Sequence, residues 1–402
     1  MALRLAITFP LSLGVPGGGT EDCLNLARHM RLQGAEVTIL SSQSSGPGQY
    51  PRRAPEPDRF RAVADSLERD GIDTVAVPTH PLHYLLDGRP MRKAVARLLA
   101  QRELDAVIGW WHEAAFLPSI LRGKGVLFGV IAAASYTLVF PYNDRWRQPV
   151  QSLRGRFLVR SPLREASVVF VRSAFTRHEI AGFADVPEER VRLVPCGVDP
   201  TFLDVEREPA ADEVRLFYFG RLVRDKGIFD AIAALGRLAK SGTTNWRLRV
   251  AGWGDVQAVE AKARELGIHD RLEFLGPLTR PALAMELART DLAVLPSYSE
   301  SFGLANAEAQ AAGVPVAAYR AGAVAEVVVD GETGWLVPTG DAVRLSEVLA
   351  EAIADPVERE RRGSAGRHRI AGTFTWENAA RATLEGLEEA LARRGARVEP
   401  VG

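Results

Sequence analysis

The sequence contains very little cysteine and no long apolar run. Its two cysteines, Cys23 and Cys196, are too few and too far apart for a disulfide framework, so a reducing compartment is expected. No stretch reaches the roughly 18 uninterrupted apolar residues of a membrane-spanning helix. Met1 to Phe9 is too short for the apolar region of a signal peptide. These absences predict a cytoplasmic protein whose first apolar run is a buried strand.

The chain also lacks net charge. Its 50 basic and 50 acidic residues give no support for attraction to nucleic acid, and no nucleic-acid partner is expected. Apolar residues at 47% and charged residues at 25% are typical of a globular protein. Because 402 residues exceed one ordinary domain, the length favours two.

Short apolar runs alternate with amphipathic segments along the whole chain, which predicts a doubly wound α/β protein. Leu3–Phe9 and Glu36–Leu40 flank a helix at Glu21–Gln33, and a strand–helix–strand unit of this length requires parallel strands. A polar linker is predicted at Glu206–Asp212, and a long amphipathic helix at Trp376–Arg393. Further strands are predicted at Thr74–Val77, Ala106–Ile108, Val126–Ile131, Val168–Val171, Val214–Phe219, Trp246–Ala251, Leu272–Phe274, Leu292–Leu295 and Val314–Ala317.

The segment from Pro296 to Glu308 carries the most informative pattern. It follows an apolar strand and opens a predicted helix, with Ser299 as the expected cap. Backbone N–H groups at such a helix start attract phosphate. Glu300 precedes the first turn and Glu308 lies two turns on, so one carboxylate can meet a sugar and the other ribose hydroxyls. The alternative is a helix-start charge and a solvated surface residue. The backbone N–H groups that would attract phosphate at the helix start are those of Phe302, Gly303 and Leu304.

A second pattern, Gly220 to Gly227, follows the first strand of the second half. Ligands of open α/β sheets bind at the carboxyl ends of the strands. Arg221 offers a bidentate fork and Lys226 a point charge, which together suit a diphosphate. The alternative is a solvated turn in which Lys226 pairs with Asp225.

Two weaker patterns lie in the first half. The turn Pro16–Thr20 includes Gly18 and Gly19 and permits close backbone approach to a ligand, although it fails the third glycine of a dinucleotide fingerprint. His112, after the strand Ala106–Ile108, is a candidate polar group at the reacting centre. The alternatives are a flexible turn and a histidine bonded locally, for example to Glu113.

The sequence has no Asp-x-Asp and no cluster of cysteine and histidine, so no metal or other cofactor is expected. In a diphosphate site, Arg221 and Lys226 would then supply the neutralising charge.

These motifs resemble the retaining glycosyltransferases of family 4, which have the GT-B fold. Glu300 and Glu308 match the family's Glu-x7-Glu, and Gly220-Arg221-Leu222 with Lys226-Gly227 matches its Gly-Arg-Leu…Lys-Gly. The resemblance is highly specific over residues 190–380 and weaker before them. It is also carried by Val194–Asp199, Ala251–Gly254, Phe274–Gly276, Gly331–Leu336 and Ser173–Thr176.

The resemblance implies two Rossmann-like domains facing across a cleft. They are an acceptor domain over residues 1–207, joined by a crossover helix over 376–402, and a donor domain over 208–375. It implies that Glu308 holds the ribose, that Arg221 and Lys226 hold the diphosphate, and that Glu300 contacts the transferred sugar. The family's histidine usually stands nearer Trp110, so His112 is offset by two positions. Ser301, Phe302, Gly303 and Leu304 join Gly18 and Gly19 as predicted donor-binding residues.

The expected reaction is transfer of a hexose from a nucleoside diphosphate sugar, the co-substrate, to an acceptor hydroxyl of unknown identity. The run Pro296–Leu304 is similar to transferases that use UDP-N-acetylglucosamine. Two other functions remain open, a GT-B sugar-nucleotide epimerase and a non-catalytic nucleotide-sugar-binding scaffold. The failed glycine fingerprint disfavours a nicotinamide oxidoreductase.

The segment from Arg145 to Arg164 combines six arginines with interleaved apolar residues and has no acidic residue. Such a segment can lay a domain on an anionic membrane and so give access to a lipid-linked acceptor. The alternatives are a solvated basic helix and a cradle for an anionic soluble acceptor. An anionic membrane surface, on the inner face of the membrane, is therefore a candidate partner.

Overall fold

The structure, a computed structural model, describes residues 2–15, 17–43, 57–79, 88–110, 112–133, 158–209 and 211–396. The internal contacts divide the chain into two compact units. Of the described residues, the first unit contains those up to Gly197 and those from Trp376 onward, and the second contains Val198–Thr375.

The first unit is built on a sheet of seven parallel strands in the order β3-β2-β1-β4-β5-β6-β7. The central strands are buried on both faces, so their sequences are continuously apolar. The strands are β1 (Arg4–Phe9), β2 (Glu36–Ser42), β3 (Asp73–Val77), β4 (Ala106–Gly109), β5 (Leu127–Ala132), β6 (Val168–Val171) and β7 (Val191–Leu193).

The helices of the first unit lie between these strands, except for the last, α15, which returns from the end of the chain and packs on α1 and on β5, β6 and β7. Short 3-10 helices occur at His112–Phe116 and Glu188–Arg190. The α-helices are α1 (Gly18–Leu32), α2 (Pro57–Arg69), α3 (Gly88–Gln101), α4 (Pro118–Leu121), α5 (Arg160–Glu165), α6 (Ala174–Ala184) and α15 (Trp376–Ala396).

The second unit has a sheet of six parallel strands in the order β10-β9-β8-β11-β12-β13. The strand order reverses beside β8, so the loops after β8 and β11 are neighbours at the carboxyl edge. The strands are β8 (Val214–Phe219), β9 (Trp246–Ala251), β10 (Leu272–Gly276), β11 (Leu292–Leu295), β12 (Val316–Tyr319) and β13 (Gly334–Val337).

Several helices of the second unit are amphipathic. In α8, for example, Ile228, Ala231, Ile232 and Leu235 recur on one face and are fully buried. Short 3-10 helices occur at Arg224–Lys226 and His269–Arg271. The α-helices are α7 (Pro200–Leu203), α8 (Ile228–Lys240), α9 (Val256–Glu265), α10 (Arg280–Ala288), α11 (Leu304–Ala311), α12 (Val324–Val327), α13 (Ala342–Ala354) and α14 (Pro356–Thr373).

The structure separates the units after Gly197, whereas the sequence placed the division after residue 207. The segment predicted as a linker is packed on the second unit. The backbone N–H of Glu208 donates to the Ala288 carbonyl at 2.8 Å, and the Arg207 guanidinium donates to the Leu287 carbonyl at 2.7 Å. Phe202 is fully buried. The described part of this polar, proline-containing segment is therefore hydrogen-bonded to the second unit.

Candidate functional site

One buried tyrosine fixes the loop after β8 by hydrogen bonds. The Tyr218 hydroxyl donates to the carbonyl oxygens of Arg221 and Lys226, at 2.9 and 3.1 Å. Burial raises the pKa of Tyr218, so the phenol stays a neutral donor. Both ends of the cationic turn are thereby tied to the strand that precedes it.

Gly227 brings this loop against the loop that follows β11. Its φ is +70°, and a Cβ there would lie 1.8 Å from the Pro296 carbonyl oxygen, a contact that no side chain permits. The backbone N–H of Tyr298 also donates to the Asp225 carbonyl at 2.9 Å. The two strongest sequence motifs are therefore in direct backbone contact.

The contact places Lys226 and Glu300 together. The Lys226 Nζ lies 2.7 Å from the Glu300 Oε1, and the two side chains are 23% and 17% exposed. The Arg221 guanidinium donates to Asp225 at 3.1 Å. Pairing of Lys226 with Asp225, the alternative weighed from the sequence, is not the arrangement found, because Asp225 faces Arg221 instead. Two ion pairs, Arg221 with Asp225 and Lys226 with Glu300, thus lie in the loops at the carboxyl edge of β8 and β11.

The helix after Glu300 begins later than predicted, and the prediction that Ser299 caps it is wrong. Helix α11 starts at Leu304, and its N-cap is Gly303, with φ +96° and no side-chain cap bond. Ser301 and Phe302 precede this turn, and Phe302 is buried with its ring 5.4 Å from that of Phe374. The carbonyl of Glu300 accepts the backbone N–H of Ala323 at 2.9 Å. Glu300 is therefore held by backbone contacts while its carboxylate faces Lys226.

Two tyrosines and one carboxylate form a hydrogen-bond network beside the loop after β11. The Tyr298 and Tyr319 hydroxyls both donate to the Asp230 carboxylate, at 2.6 and 2.7 Å. The two rings meet edge to face at 5.5 Å. Sequence reasoning missed this network, because Asp230 and Tyr319 stand on different elements with no motif in common.

Glu308 lies in the second turn of α11 with its side chain 14% exposed. Its Oε1 is 3.7 Å from the Arg280 Nη1, and the same nitrogen is 3.4 Å from the Asp199 Oδ2. Arg280 was not a candidate from the sequence, since nothing in its neighbourhood along the chain marks it.

The predicted glycine turn of the first unit opens α1. Gly18 and Gly19 form the first turn of that helix, and Gly17 is its N-cap. A buried ion pair lies one turn later. The Arg172 guanidinium donates to both carboxylate oxygens of Asp22, at 3.0 and 2.6 Å, and to the Val194 carbonyl at 3.0 Å.

Arg172 also stacks on an aromatic ring beside the ion pair. Its guanidinium carbon lies 5.7 Å from the centroid of the Trp110 ring, at the end of β4. The ends of β4, β6 and β7 and the start of α1 are joined through this one side chain.

Two family descriptions match the chain. Residues 16–202 match the family described as Glycosyltransferase Family 4, and residues 202–369 match the one described as Glycosyl transferases group 1. A D-inositol 3-phosphate glycosyltransferase of Mycobacterium avium is 40% identical over 97% of this chain and 94% of its own length. The chain belongs to the family 4 glycosyltransferases.

Other relatives of this glycosyltransferase carry different names. The MMP alpha-(1->4)-mannosyltransferase of Mycolicibacterium hassiacum is 29% identical over 97% of this chain and 99% of its own length. The glycogen synthase of Mycobacterium tuberculosis is 34% identical over 56% of this chain. The chain spans only 54% of that synthase.

Solved structures confirm the fold. Sucrose-phosphate synthase from Thermosynechococcus elongatus superposes with a TM-score of 0.78 at 21% identity, covering 97% of this chain and 100% of that one. HepE of Anabaena, solved with UDP-glucose, gives 0.74 at 19% identity, covering 96% and 99%. The glycosyltransferase thus has the predicted GT-B fold, an α/β architecture of two Rossmann-like domains with parallel sheets.

His112 of this glycosyltransferase remains a prediction. Its backbone begins the 3-10 helix after β4, and its side chain lies outside the described residues. The neighbouring Glu113 is fully buried, and its Oε1 accepts the Trp110 backbone N–H at 2.7 Å and the Thr8 hydroxyl at 3.2 Å.

Most of the predicted membrane segment of the glycosyltransferase, residues 145–157, also lies outside the described part of the chain. Arg164, at its end, donates to the Ala184 carbonyl at 2.9 Å. Over the residues that are described, no helix is both long and apolar enough to cross a membrane. The same residues contain no group of three or more His, Cys, Asp or Glu side chains placed to hold a metal ion.

Proposed function

We propose that this glycosyltransferase moves a hexose from a uridine diphosphate sugar to an acceptor hydroxyl with retention of the anomeric configuration. The observation that carries the proposal is the contact between Lys226 and Glu300 at 2.7 Å. The contact joins a cation suited to a diphosphate and a carboxylate suited to sugar hydroxyls. The two residues lie in the loops after β8 and β11, which meet at the carboxyl edge of the sheet.

The roles follow from charge and placement. Arg221 and Lys226 bind the diphosphate, which replaces Glu300 as the partner of Lys226. Glu300 then turns to the sugar hydroxyls, and Glu308 accepts hydrogen bonds from the ribose. Ser301, Phe302, Gly303 and Leu304 present the start of α11 to the phosphates. Gly18, Gly19 and His112 remain predicted contacts from the first unit.

The reaction develops negative charge on the departing diphosphate while the sugar becomes oxocarbenium-like. Preorganised cations at that position stabilise the transition state. We propose that Arg221 and Lys226 do this without a metal ion and that no side chain forms a covalent bond to the sugar. Turnover undiminished by a chelator, with an α-linked product from an α-linked donor, is the expected outcome.

The uridine base is proposed because structures of similar fold were solved with UDP or UDP-glucose. The sugar is not fixed by that likeness, and the sequence pattern favours N-acetylglucosamine. A thermal-shift panel of UDP-glucose, UDP-N-acetylglucosamine and GDP-mannose discriminates among them. A true donor at a hundred times its dissociation constant stabilises the fold by about 2.7 kcal/mol.

The test of the site uses Arg221→Met and Lys226→Met. Each is expected to lower turnover by about tenfold or more, because the leaving diphosphate loses a preorganised cation. Lys262→Met is the matched control, since Lys262 also pairs with a glutamate, Glu265 at 2.8 Å, but stands on α9. Wild-type turnover in both site variants would exclude this diphosphate site.

The same assay separates the two rival functions. An epimerase converts the sugar nucleotide in the absence of any acceptor, and a scaffold binds it without consuming it. A transferase releases the nucleoside diphosphate in step with glycosylation of an added acceptor. The first acceptors to test are a glycan, a lipid-linked hydroxyl and a phosphorylated polyol.

A further inference from the structure

Arg280 sits between two carboxylates, only one of which belongs to the proposed donor site. Its Nη1 lies 3.4 Å from the Asp199 Oδ2 and 3.7 Å from the Glu308 Oε1. These are ion-pair distances longer than a well-formed charge-assisted hydrogen bond. The Arg280 side chain is 25% exposed and the Glu308 side chain 14%. Arg280 is therefore a counter-ion of the Glu308 carboxylate, whose side chain has little access to water.

The start of α10 and the buried Phe202 ring fix where Arg280 stands. It begins α10, its guanidinium carbon lies 5.7 Å from the ring centroid of Phe202, and Phe202 is fully buried. Asp199 is itself held in place, because its Oδ1 accepts the backbone N–H of Thr201 as the cap of α7. The Arg280 guanidinium is thus held by the Phe202 ring and by the Asp199 carboxylate, which caps α7. It also pairs with the Glu308 carboxylate.

We propose that Arg280 is a positioning residue that presents the Glu308 carboxylate to the ribose hydroxyls and so sets a preference for ribonucleotide donors. At 3.7 Å, attraction to the Arg280 cation favours one orientation of the Glu308 carboxylate. An ionised carboxylate only accepts hydrogen bonds, which matches two hydroxyl donors. This inference rests on the proposed function and adds a residue to the same site.

Because Arg280 pairs with Glu308 at 3.7 Å, its effect on the nucleotide passes through that carboxylate. Its removal is therefore expected to weaken binding only when the ribose hydroxyls are present.

The experiment measures binding of UDP, ADP and GDP, and of their 2′,3′-dideoxy forms, by isothermal titration calorimetry. The wild-type chain is expected to prefer the ribose form of its nucleotide by about tenfold or more. Arg280→Met abolishes most of that preference by weakening the ribose form alone. In the Glu308→Gln background, Arg280→Met has no further effect. Arg280→Lys, which keeps the charge, restores part of the preference.

Arg249→Met is the matched control, because Arg249 also lies between two carboxylates of the same unit, Glu273 and Glu286, away from Glu308. It is expected to leave the ribose preference intact. Equal weakening of ribose and dideoxy forms in Arg280→Met, or an unchanged preference, would overturn the proposal. So would a full effect of Arg280→Met in the Glu308→Gln background. A wild-type chain that binds with the expected preference yet transfers no sugar would overturn the proposed function alone.

Discussion

The two units place charged side chains near the same edge of the same kind of sheet but use them in opposite ways. In the second unit Lys226 and Glu300 are 23% and 17% exposed, and Arg221 and Asp225 are 26% and 21% exposed. In the first unit Arg172 and Asp22 are 1% and 4% exposed. Partly exposed pairs can exchange their partners for those of a ligand, whereas the buried pair already has every contact within the fold. The comparison supports the proposal that the second unit supplies the charged chemistry, while the buried pair of the first unit holds its own strand ends together.

The two units also differ in the surroundings of one glycine in each, Gly227 and Gly19. Gly227 is buried in a contact that no side chain allows, with a Cβ position 1.8 Å from a carbonyl oxygen. Gly19 is exposed, and no atom of the described residues lies within 4 Å of its Cβ position. One glycine is required by the fold, and the other leaves room for something else to approach.

The largest expected effect on stability comes from breaking the buried ion pair of the first unit. Arg172→Met leaves the Asp22 carboxylate buried without a counter-ion, which is expected to lower the free energy of unfolding by about 3–5 kcal/mol. Lys226→Met, at the partly exposed pair of the second unit, is expected to change it by about 0–1 kcal/mol. Urea denaturation measures both.

The control for the buried pair is the double variant Asp22→Leu with Arg172→Met. Replacing both charges by apolar groups removes the uncompensated carboxylate, so most of the lost stability is expected to return. An unfolding midpoint for Arg172→Met equal to that of the wild type would show that the pair does not hold the strand ends.

A smaller effect concerns pH, and it also belongs to the first unit, which contains both cysteines. Burial raises the pKa of the Cys23 and Cys196 thiols, so both stay protonated in the folded chain. In the unfolded chain a thiol loses its proton near pH 8.5, and above that pH the folded state binds more protons than the unfolded state. Stability is therefore expected to fall as pH rises, by up to about 1.4 kcal/mol per pH unit for each thiol.

Denaturation at pH 7.5 and pH 9.0, about one unit below the ordinary tyrosine pKa, measures this slope. The variant Cys23→Ala with Cys196→Ala is expected to lose it. A slope that survives in the double variant would assign the pH dependence to other groups.

The strands were the most predictable part of the fold. Val168–Val171, Val214–Phe219, Trp246–Ala251 and Leu292–Leu295 have the predicted bounds. The first and last of these are buried at every position and read as continuous apolar runs, whereas Trp246–Ala251 alternates, with Arg247 exposed. The strand β12 begins two residues later than predicted, and β7 and β13 were not predicted. Both missed strands lack a four-residue apolar run, because β7 has Arg192 at its centre and β13 begins at Gly334.

The site was predictable only in part. The motifs placed Arg221, Lys226 and Glu300 after strand ends and Glu308 on the helix that follows, but not the partner that each side chain takes. Glu300 is 74 residues from Lys226 along the chain, and Asp22 is 150 residues from Arg172. Such pairs depend on loop contacts like that of Gly227 with Pro296, which local sequence does not encode. Arg280 was missed for the same reason.

The smallest expected effect on stability sharpens the contrast between the glycines. Gly19→Ala adds a methyl group in the first turn of α1, at a position with no neighbour among the described atoms. Alanine is a better helix former than glycine by up to about 1 kcal/mol, so the melting temperature should stay the same or rise slightly. If the backbone here approaches the donor, the methyl group blocks it, and the KM for the sugar nucleotide should rise about tenfold while the fold is unharmed. Gly182→Ala is the matched control, since Gly182 is also an exposed glycine within a helix of the first unit and its Cβ position likewise meets no described atom within 4 Å. An unchanged donor KM in Gly19→Ala would mean that the glycine turn of the first unit is only a helix start and that the ligand chemistry lies with the second unit.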